Sequence, residues 1–246
     1  MEKVILEVKA LRVGYGAFEA VKGVDFSLHK GEIFGIVGES GSGKSTIAKA
    51  LVGLAKPKSG TISFPSRAGE GTHSRMQMVF QDAVGSLNPR MTVRQALEEA
   101  IAVVGGGRDA EATPKSLLEL AGLSPAVLDQ YPREMSGGQC QRVSVARALA
   151  CRPEILIADE PVSALDVSVQ ARILNLLRDL RRRLGLAIIL IAHDLAVVKN
   201  VCDRIAVMEK GRFVDFGDAE EVLLRPKSGY TMRLVAAVPR FEKPQI

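Results

Sequence analysis

The stretch Ile-Phe-Gly-Ile-Val-Gly-Glu-Ser-Gly-Ser-Gly-Lys-Ser-Thr, residues 33–46, decides the fold of this chain. Its first five residues form a short apolar run, which is typical of a strand buried on both faces. Residues 38–45 match the pattern G-x-x-x-x-G-K-[ST], and residues 47–54 read as a helix. Glycines in such a turn let backbone N–H groups wrap phosphate oxygens, and the helix adds its positive N-terminal end. The stretch therefore predicts a phosphate-binding turn, called the glycine loop below, inside an α/β sheet.

The same alternation of buried strands and helices continues downstream. Residues 155–158 and 187–191 are apolar strand patterns, and the helix between them carries an apolar face that includes Ile173, Leu176, Leu177 and Leu180. Residues 61–64 and 76–80 read as further strands. This order of elements predicts an α/β sheet core.

Three other regions differ from that core. Residues 4–27 alternate apolar and polar side chains around Gly14, Gly16 and Gly23, which predicts short antiparallel strands with turns. From Val93 the spacing becomes helical, is broken at residues 105–107 and resumes at Leu117, so residues from about 83 to 152 are predicted as a helical insertion. Residues 205–208 and 213–216 read as a hairpin, and residues 218–246 as a C-terminal tail of a single 1–246 domain.

Composition and charge exclude several classes of protein. The chain has 246 residues and a net charge of +5, from 33 basic and 28 acidic side chains, which is ordinary for a soluble globular protein. Its longest apolar run, residues 184–192, is far shorter than the roughly 20 residues that span a membrane. The first residues read as a strand rather than a secretory signal. Three widely spaced cysteines fit free thiols in a reducing cytosol.

Four side chains carry the predicted phosphate chemistry. Lys44 of the glycine loop is expected to reach the β- and γ-phosphates, and the Ser45 hydroxyl to ligate Mg²⁺. Asp159 and Glu160 end a buried strand, where two neighbouring carboxylates are costly unless a cation accompanies them. We therefore expect Asp159 to hold Mg²⁺ and Glu160 to polarise the attacking water.

Weaker signals come from single residues at strand ends and turns. His193 follows a predicted core strand at the edge where α/β sheets bind ligands, which favours a contact with the γ-phosphate or water. Gln81 also follows a strand and is a candidate for the metal and the nucleophilic water. Tyr15 stands between two glycines, where stacking on adenine and an ordinary turn role are equally supported. His29 and His73 have no such context and are predicted as surface residues.

A second glycine-rich turn, Ser136-Gly137-Gly138-Gln139, is called the signature turn below. With it, the chain resembles a nucleotide-binding subunit of an ATP-binding cassette (ABC) transporter over nearly its whole length. The resemblance rests on seven elements in the family's order, namely its A-loop, Walker A, Q-loop, signature, Walker B, D-loop and switch histidine. They are Tyr15, residues 38–46, Gln81, residues 136–139, Asp159 with Glu160, residues 163–166 and His193.

The resemblance implies a P-loop NTPase (RecA-like) core with an antiparallel β subdomain and a helical subdomain. It implies ATP hydrolysis with Mg²⁺, in which Lys44, Gln81, Glu160 and His193 are catalytic. It assigns the metal to Ser45, Gln81 and Asp159. The implied ATP-binding residues are Tyr15, Gly38, Glu39, Ser40, Gly41, Ser42, Gly43, Lys44, Ser45, Thr46, Ser136, Gly137, Gly138 and Gln139.

The resemblance also implies partners. Two cassettes pack head to tail, so the signature turn completes the site of a second ABC ATPase subunit, in a homo- or heterodimer. Residues 81–93, 164–171 and 229–239 resemble the oligopeptide, dipeptide and nickel importer group. We therefore expect an ATPase that energises import of peptides or nickel/metal chelates, bound to membrane permease subunits at the cytoplasmic face. It would act indirectly with a solute-binding protein and without nucleic acid.

One alternative stays open at this point, an accessory ABC ATPase of a soluble enzyme complex such as the carbon–phosphorus lyase assembly. The chain also departs from the importer group. Met135 stands where leucine usually precedes the signature, and Cys140 where the group usually has arginine. The second change is expected to remove a positive donor beside the signature turn and to affect the ATP of the partner subunit.

Overall fold

Two β-sheets, eight α-helices and two short 3₁₀ helices make up the part of the chain that the computed structural model describes, residues 3–65, 75–103, 112–163 and 165–237. The strands are β1 (Val4–Tyr15), β2 (Phe18–His29), β3 (Ile33–Val37), β4 (Pro57–Ser63), β5 (Met76–Val79), β6 (Ile155–Asp159), β7 (Ala187–Ala192), β8 (Arg204–Glu209) and β9 (Arg212–Asp218). The helices are α1 (Lys44–Leu51), α2 (Val93–Val103), α3 (Pro114–Leu120), α4 (Gly137–Ala150), α5 (Val167–Leu184), α6 (Leu195–Lys199), α7 (Ala219–Leu224) and α8 (Gly229–Ala237).

The larger sheet has the order β5-β6-β7-β3-β8-β9, in which only the β8–β9 pair is antiparallel. Every residue of β3, β6 and β7 is buried, as expected for strands covered on both faces. Val37 pairs with Ala192, and Asp159 pairs with Ile191. The carboxyl ends of these three strands therefore meet at one edge, which brings the glycine loop, Glu160 and His193 together.

The smaller sheet, with the order β2-β1-β4, is antiparallel throughout. Its strands β1 and β2 have 12 residues each, so the expectation of short strands was wrong. Gly23 is one of the glycines predicted to lie in turns, but it lies inside β2 with φ of +84°. Glycines at irregular points of a strand resemble turn glycines in the sequence, because both supply a backbone conformation that other residues resist.

Helix α1 begins at Lys44, directly from the glycine loop and three residues before the predicted start at Ile47. The apolar pattern missed its first turn because Lys44, Ser45 and Thr46 are polar residues at the phosphate-binding end. Its buried face packs Ile47, Ala48 and Leu51 into the core between the two sheets.

Helices α2, α3 and α4 all lie between β5 and β6 in the chain. Leu97 of α2, Leu118 of α3 and Val143 of α4 are fully buried in one apolar cluster. The predicted break at residues 105–107 lies outside the described residues. Among those that are described, no helix is both long and apolar enough to cross a bilayer.

Candidate functional site

The glycine loop is shaped by close contacts with two neighbouring strands. A Cβ atom at Gly38 would lie 2.2 Å from the Met208 carbonyl oxygen, and one at Gly43 would lie 2.5 Å from the Ala20 carbonyl oxygen. Gly43 also has φ of +113°, a conformation that residues with a side chain rarely adopt. These two positions therefore require glycine, and they fix the path of the backbone into α1.

Lys44 is buried at the start of α1, and its Nζ donates to the carbonyl oxygens of Gly38 and Glu39 at 2.8 Å each. Burial lowers the pKa of Lys44, while the charges of Glu160 and Asp159 oppose that shift. The amine thus binds two carbonyl oxygens of its own loop and lies within reach of an anion that binds there.

Ser45 and Asp159 join the glycine loop to the end of β6. The Ser45 hydroxyl donates to Asp159 Oδ1 at 2.9 Å. Burial raises the pKa of Asp159, the hydrogen bond from Ser45 opposes that shift, and the charge of Glu160 adds to it. A buried carboxylate beside a hydroxyl and a second carboxylate is a place where a cation lowers the electrostatic cost.

Glu160 is the centre of a cluster of polar side chains. Its Oε2 accepts a hydrogen bond from Gln81 Nε2 at 3.1 Å and lies 3.2 Å from His193 Nδ1. Ser163 donates to the Glu160 carbonyl oxygen at 3.2 Å and accepts from Gln81 at 3.4 Å. Glu160 has φ of +44°, uncommon for a residue with a side chain, and its N–H donates to the carbonyl of Ile191 at 3.0 Å.

A recess of about 50 Å³ opens between Glu160 and His193, and its lining includes Ser163. A space of this size holds a water molecule, and its walls supply the polar partners that a bound water needs. The cluster can therefore hold a water against a carboxylate oxygen.

The hydrogen-bond donors and the close-packed backbone of the glycine loop fit a nucleoside triphosphate with Mg²⁺. The Ser42 hydroxyl is buried without a hydrogen-bond partner, so the loop keeps a polar group unsatisfied. A Cβ at Gly41 would have no atom within 4 Å, so the backbone is open to close approach there, and Ser45 with Asp159 supplies the oxygen ligands that Mg²⁺ prefers. Phosphate oxygens complete such a site, since Mg²⁺ is commonly held by few protein ligands.

Tyr15 lies at the end of β1, beside the turn that leads to β2, and 54% of its surface is exposed. Phe18, with which it pairs across that turn, is 65% exposed. Two exposed aromatic rings at one turn are an available surface for a flat base. The sequence analysis did not single out Phe18, although its position three residues after Tyr15, on the other side of the turn, could have indicated it.

The signature turn caps α4. The Ser136 hydroxyl accepts from the Gln139 N–H at 3.3 Å, and Gln139 Oε1 accepts from the Ser136 N–H at 2.8 Å, which forms a capping box. Ser136 and Gly137 are exposed, whereas Gly138 is buried against Val169. The Ser136 hydroxyl still has its own hydrogen to donate to an anion outside the subunit.

A family model described as ABC transporter matches residues 21–163, more than half of the chain. This chain belongs to the ABC transporter family. It is 42% identical to the oligopeptide transport ATP-binding protein OppF of Salmonella typhimurium, over 96% of this chain and 78% of that protein. As a member of this family, the chain is an ATPase that binds ATP.

Solved ABC structures have the same fold. The structure of cbiO1 from Clostridium perfringens, part of the ABC transporter complex cbiONQ, matches with a TM-score of 0.80 at 30% identity. The match covers 91% of this chain and 92% of cbiO1. The ATP-binding cassette MJ0796, in a dimeric post-hydrolysis state bound to ADP and phosphate, matches with a TM-score of 0.74 at 28% identity over 87% of this chain and 99% of that one.

The structure corrects the prediction for His29 and shows the environment of Cys140 within this ABC fold. Cys140 is fully buried, with Sγ 3.5 Å from the Pro132 carbonyl oxygen, so its side chain packs inside the helical block. Any effect of Cys140 on the signature turn therefore acts through packing rather than through a missing exposed charge. His29 is not a free surface residue, because its Nδ1 lies 2.8 Å from the buried Glu32 carboxylate. His73 lies outside the described residues.

Proposed function

We propose that this ABC ATPase is the ATP-hydrolysing subunit of a peptide importer. The observation that carries the proposal is the polar cluster around Glu160, which stands beside a glycine loop fitted to phosphates, in a chain whose likeness to an oligopeptide transport ATPase covers 96% of its length. The cluster supports the hydrolysis, and the relative supports the solute class. A transport protein as relative favours import over the soluble-complex alternative.

The glycine loop and Lys44 bind the phosphates of ATP. Lys44 exchanges its two carbonyl partners for phosphate oxygens, and the backbone N–H groups of residues 43–45, where the loop enters α1, surround the same oxygens. Ser45, Asp159 and Gln81 are the proposed residues for Mg²⁺. When bound, Mg²⁺ neutralises charge on the β- and γ-phosphates.

Glu160 orients and polarises the attacking water, as a carboxylate within hydrogen-bond reach of the proton it accepts. His193 and Gln81 both contact Glu160 Oε2, so its carboxylate keeps one orientation. Tyr15 stacks on the adenine, and its exposure leaves one face of the ring available.

The signature turn serves a second cassette rather than its own. Ser136, Gly137 and Gly138 present a hydroxyl and N–H groups at the exposed end of α4, where a second subunit can place its ATP. We propose a dimer of two such cassettes, with this chain twice or with a related chain, at the cytoplasmic face of the membrane.

A contact between the site and the membrane subunits is carried by residues 81–93. Ser86 in this segment is tied to α4 twice, through a 2.7 Å bond from Arg147 Nη1 to its carbonyl and a 3.1 Å bond to the Ser144 hydroxyl. Gln81 at the start of the segment touches Glu160. A permease subunit that displaces residues 81–93 would thus displace both Gln81 and helix α4, which begins at the signature turn.

The test is purification of the tagged chain from its own cell membranes, followed by identification of the bound proteins and reconstitution into vesicles. We expect permease subunits to co-purify, and ATP-dependent uptake of labelled oligopeptides when the solute-binding protein is added. Glu160→Gln is the control, because it should keep the assembly but stop uptake.

Two outcomes would overturn the peptide importer. Uptake of nickel chelates instead of peptides would replace the solute, and a stable assembly without any membrane protein would remove the transport role. Neither outcome would change the assignment of the chain as an ABC ATPase.

A further inference from the structure

A tyrosine from the C-terminal helix touches the glycine loop. Tyr230 lies in the first turn of α8, and its hydroxyl oxygen accepts the N–H of Glu39 at 3.0 Å. The two residues are 191 positions apart in the chain. Glu39 is the second residue of the glycine loop, so a tail segment outside the family's seven motifs reaches the nucleotide site.

Tyr230 is held firmly enough to position what it touches. Its side chain is 6% exposed and belongs to the larger core cluster. The Asp215 carboxylate of β9 accepts the backbone N–H groups of Lys227 at 3.2 Å and Ser228 at 2.9 Å, which fixes the turn before α8. The Ser228 hydroxyl accepts the N–H of Thr231 at 3.0 Å. The core cluster and the turn fixed by Asp215 therefore hold the tyrosine ring, and the Ser228 hydroxyl adds one further bond at the start of α8.

Glu39 transmits this contact to the phosphate-binding lysine. Its N–H is bound to Tyr230, and its carbonyl oxygen accepts from Lys44 Nζ at 2.8 Å. Both backbone polar groups of Glu39 thus have partners, one from the tail and one from the lysine that must turn toward ATP. Burial raises the pKa of Tyr230, so its hydroxyl is neutral at physiological pH and presents a lone pair to the loop.

We propose that Tyr230 is a positioning residue for nucleotide binding, which holds Glu39 so that the glycine loop is preorganised before ATP arrives. A loop that is already ordered loses less conformational entropy when its ligand binds. The inference rests on ATP binding by this ABC cassette and is independent of the transported solute. It gives the tail segment that resembles the importer group a role in the nucleotide site.

Tyr230→Phe in the full chain tests this proposal, because it keeps the ring and removes only the hydroxyl. We expect the Kd for ADP, measured by calorimetry without turnover, to rise about 3- to 10-fold, the range for loss of one hydrogen bond. The KM for ATP should rise with it by a larger factor than kcat falls. In nucleotide-free protein, amide hydrogen exchange in the peptide covering residues 39–45 should become faster.

Ser228→Ala is the matched control, since it loosens the start of α8 but leaves the Tyr230 hydroxyl in place. It should lower the melting temperature at least as much as Tyr230→Phe while leaving the Kd for ADP within twofold of wild type. The proposal is overturned if Tyr230→Phe binds ADP as tightly as wild type with unchanged exchange of the loop. It is equally overturned if Ser228→Ala weakens ADP binding as much, because the effect would then come from general loosening of the tail.

Discussion

The glycine loop and the signature turn are both serine- and glycine-rich segments that open a helix, but they are held in opposite ways. The glycine loop is enclosed at its base, with Lys44 and Ser42 buried and Gly38 and Gly43 pressed against backbone carbonyls of other strands, while residues 39–41 are exposed. The signature turn is exposed and is shaped by its own capping box. The first is fixed by contacts with strands that are distant in the sequence, whereas the second is a local surface that faces outward. This difference is what a site completed by a second subunit requires.

The prediction with the largest expected effect tests whether ATP hydrolysis depends on residues beside the glycine loop. Glu160→Gln removes the proposed base but keeps the contacts that an amide can make with Gln81 and His193. We expect ATP turnover to fall by about 10²–10⁴-fold, the range for general-base catalysis, while ATP still binds. Steady-state hydrolysis and nucleotide binding measured on the same preparation check this.

His29→Gln is a matched control, because it changes a histidine paired with a carboxylate at the far end of β2. Its turnover should stay within twofold of wild type. Turnover by Glu160→Gln at the wild-type rate, with ATP bound, would show that another group activates the water.

The second test compares one alanine substitution in each glycine-rich segment. Gly43→Ala places a Cβ 2.5 Å from the Ala20 carbonyl at φ of +113°, whereas a Cβ at Gly137 would lie 3.4 Å from Leu165. Backbone strain of about 1–3 kcal/mol plus the clash should lower the melting temperature of Gly43→Ala by about 4–10 °C and abolish ATP binding. Gly137→Ala should change stability by about 0.5 kcal/mol or less. Equal melting temperatures for the two variants would refute the contrast.

The sequence predicted the fold because its signals were local. The apolar runs of β3, β6 and β7, the glycine loop and the hairpin of β8 with β9 each stand in one short segment whose pattern dictates its conformation. The predictions that failed depended on context. Gly23 reads as a turn but lies in a strand, and His29 reads as a surface residue but lies against the buried Glu32 carboxylate.

The candidate site shows the same division. Asp159, Glu160 and His193 could be placed at one edge of the sheet because parallel strands bring their carboxyl ends together. The contact of Tyr230 with Glu39 could not be foreseen, since the two residues are 191 positions apart and neither shows a local pattern of its own. Only the packing of α8 against the sheet brings them together.

The third test addresses the exposed segment. Ser136→Ala removes both the helix cap of α4 and the hydroxyl proposed to meet the partner's ATP. We expect nucleotide binding to the isolated chain to be unchanged, but hydrolysis by the dimer to fall about tenfold, as for a lost hydrogen bond to a charged group. Thr113→Ala is the control, since Thr113 forms the same kind of capping box at α3.

Both substitutions should cost about 1 kcal/mol of stability, but only the change at Ser136 should slow hydrolysis. A loss of ATP affinity in the isolated Ser136→Ala chain would mean that the signature turn serves its own subunit. The contrast between an enclosed and an outward-facing segment would then have no functional meaning.

The smallest effect concerns the energetic cost of the enclosed site itself. Burial raises the pKa of Asp159, so its charge destabilises the folded protein at every pH above that raised value, although Lys49 and Lys44 oppose the shift. Asp159→Asn should therefore raise the melting temperature of the nucleotide-free protein at pH 7 while abolishing Mg²⁺-dependent hydrolysis. The gain in melting temperature should shrink as the pH falls toward 3.8, where wild-type Asp159 is increasingly protonated in both the folded and the unfolded state.

Asp179→Asn, which changes an exposed carboxylate on α5 paired with Arg182, should give no such gain. A lower melting temperature for Asp159→Asn at pH 7 would mean that the enclosed site is stabilised, rather than strained, by its carboxylate.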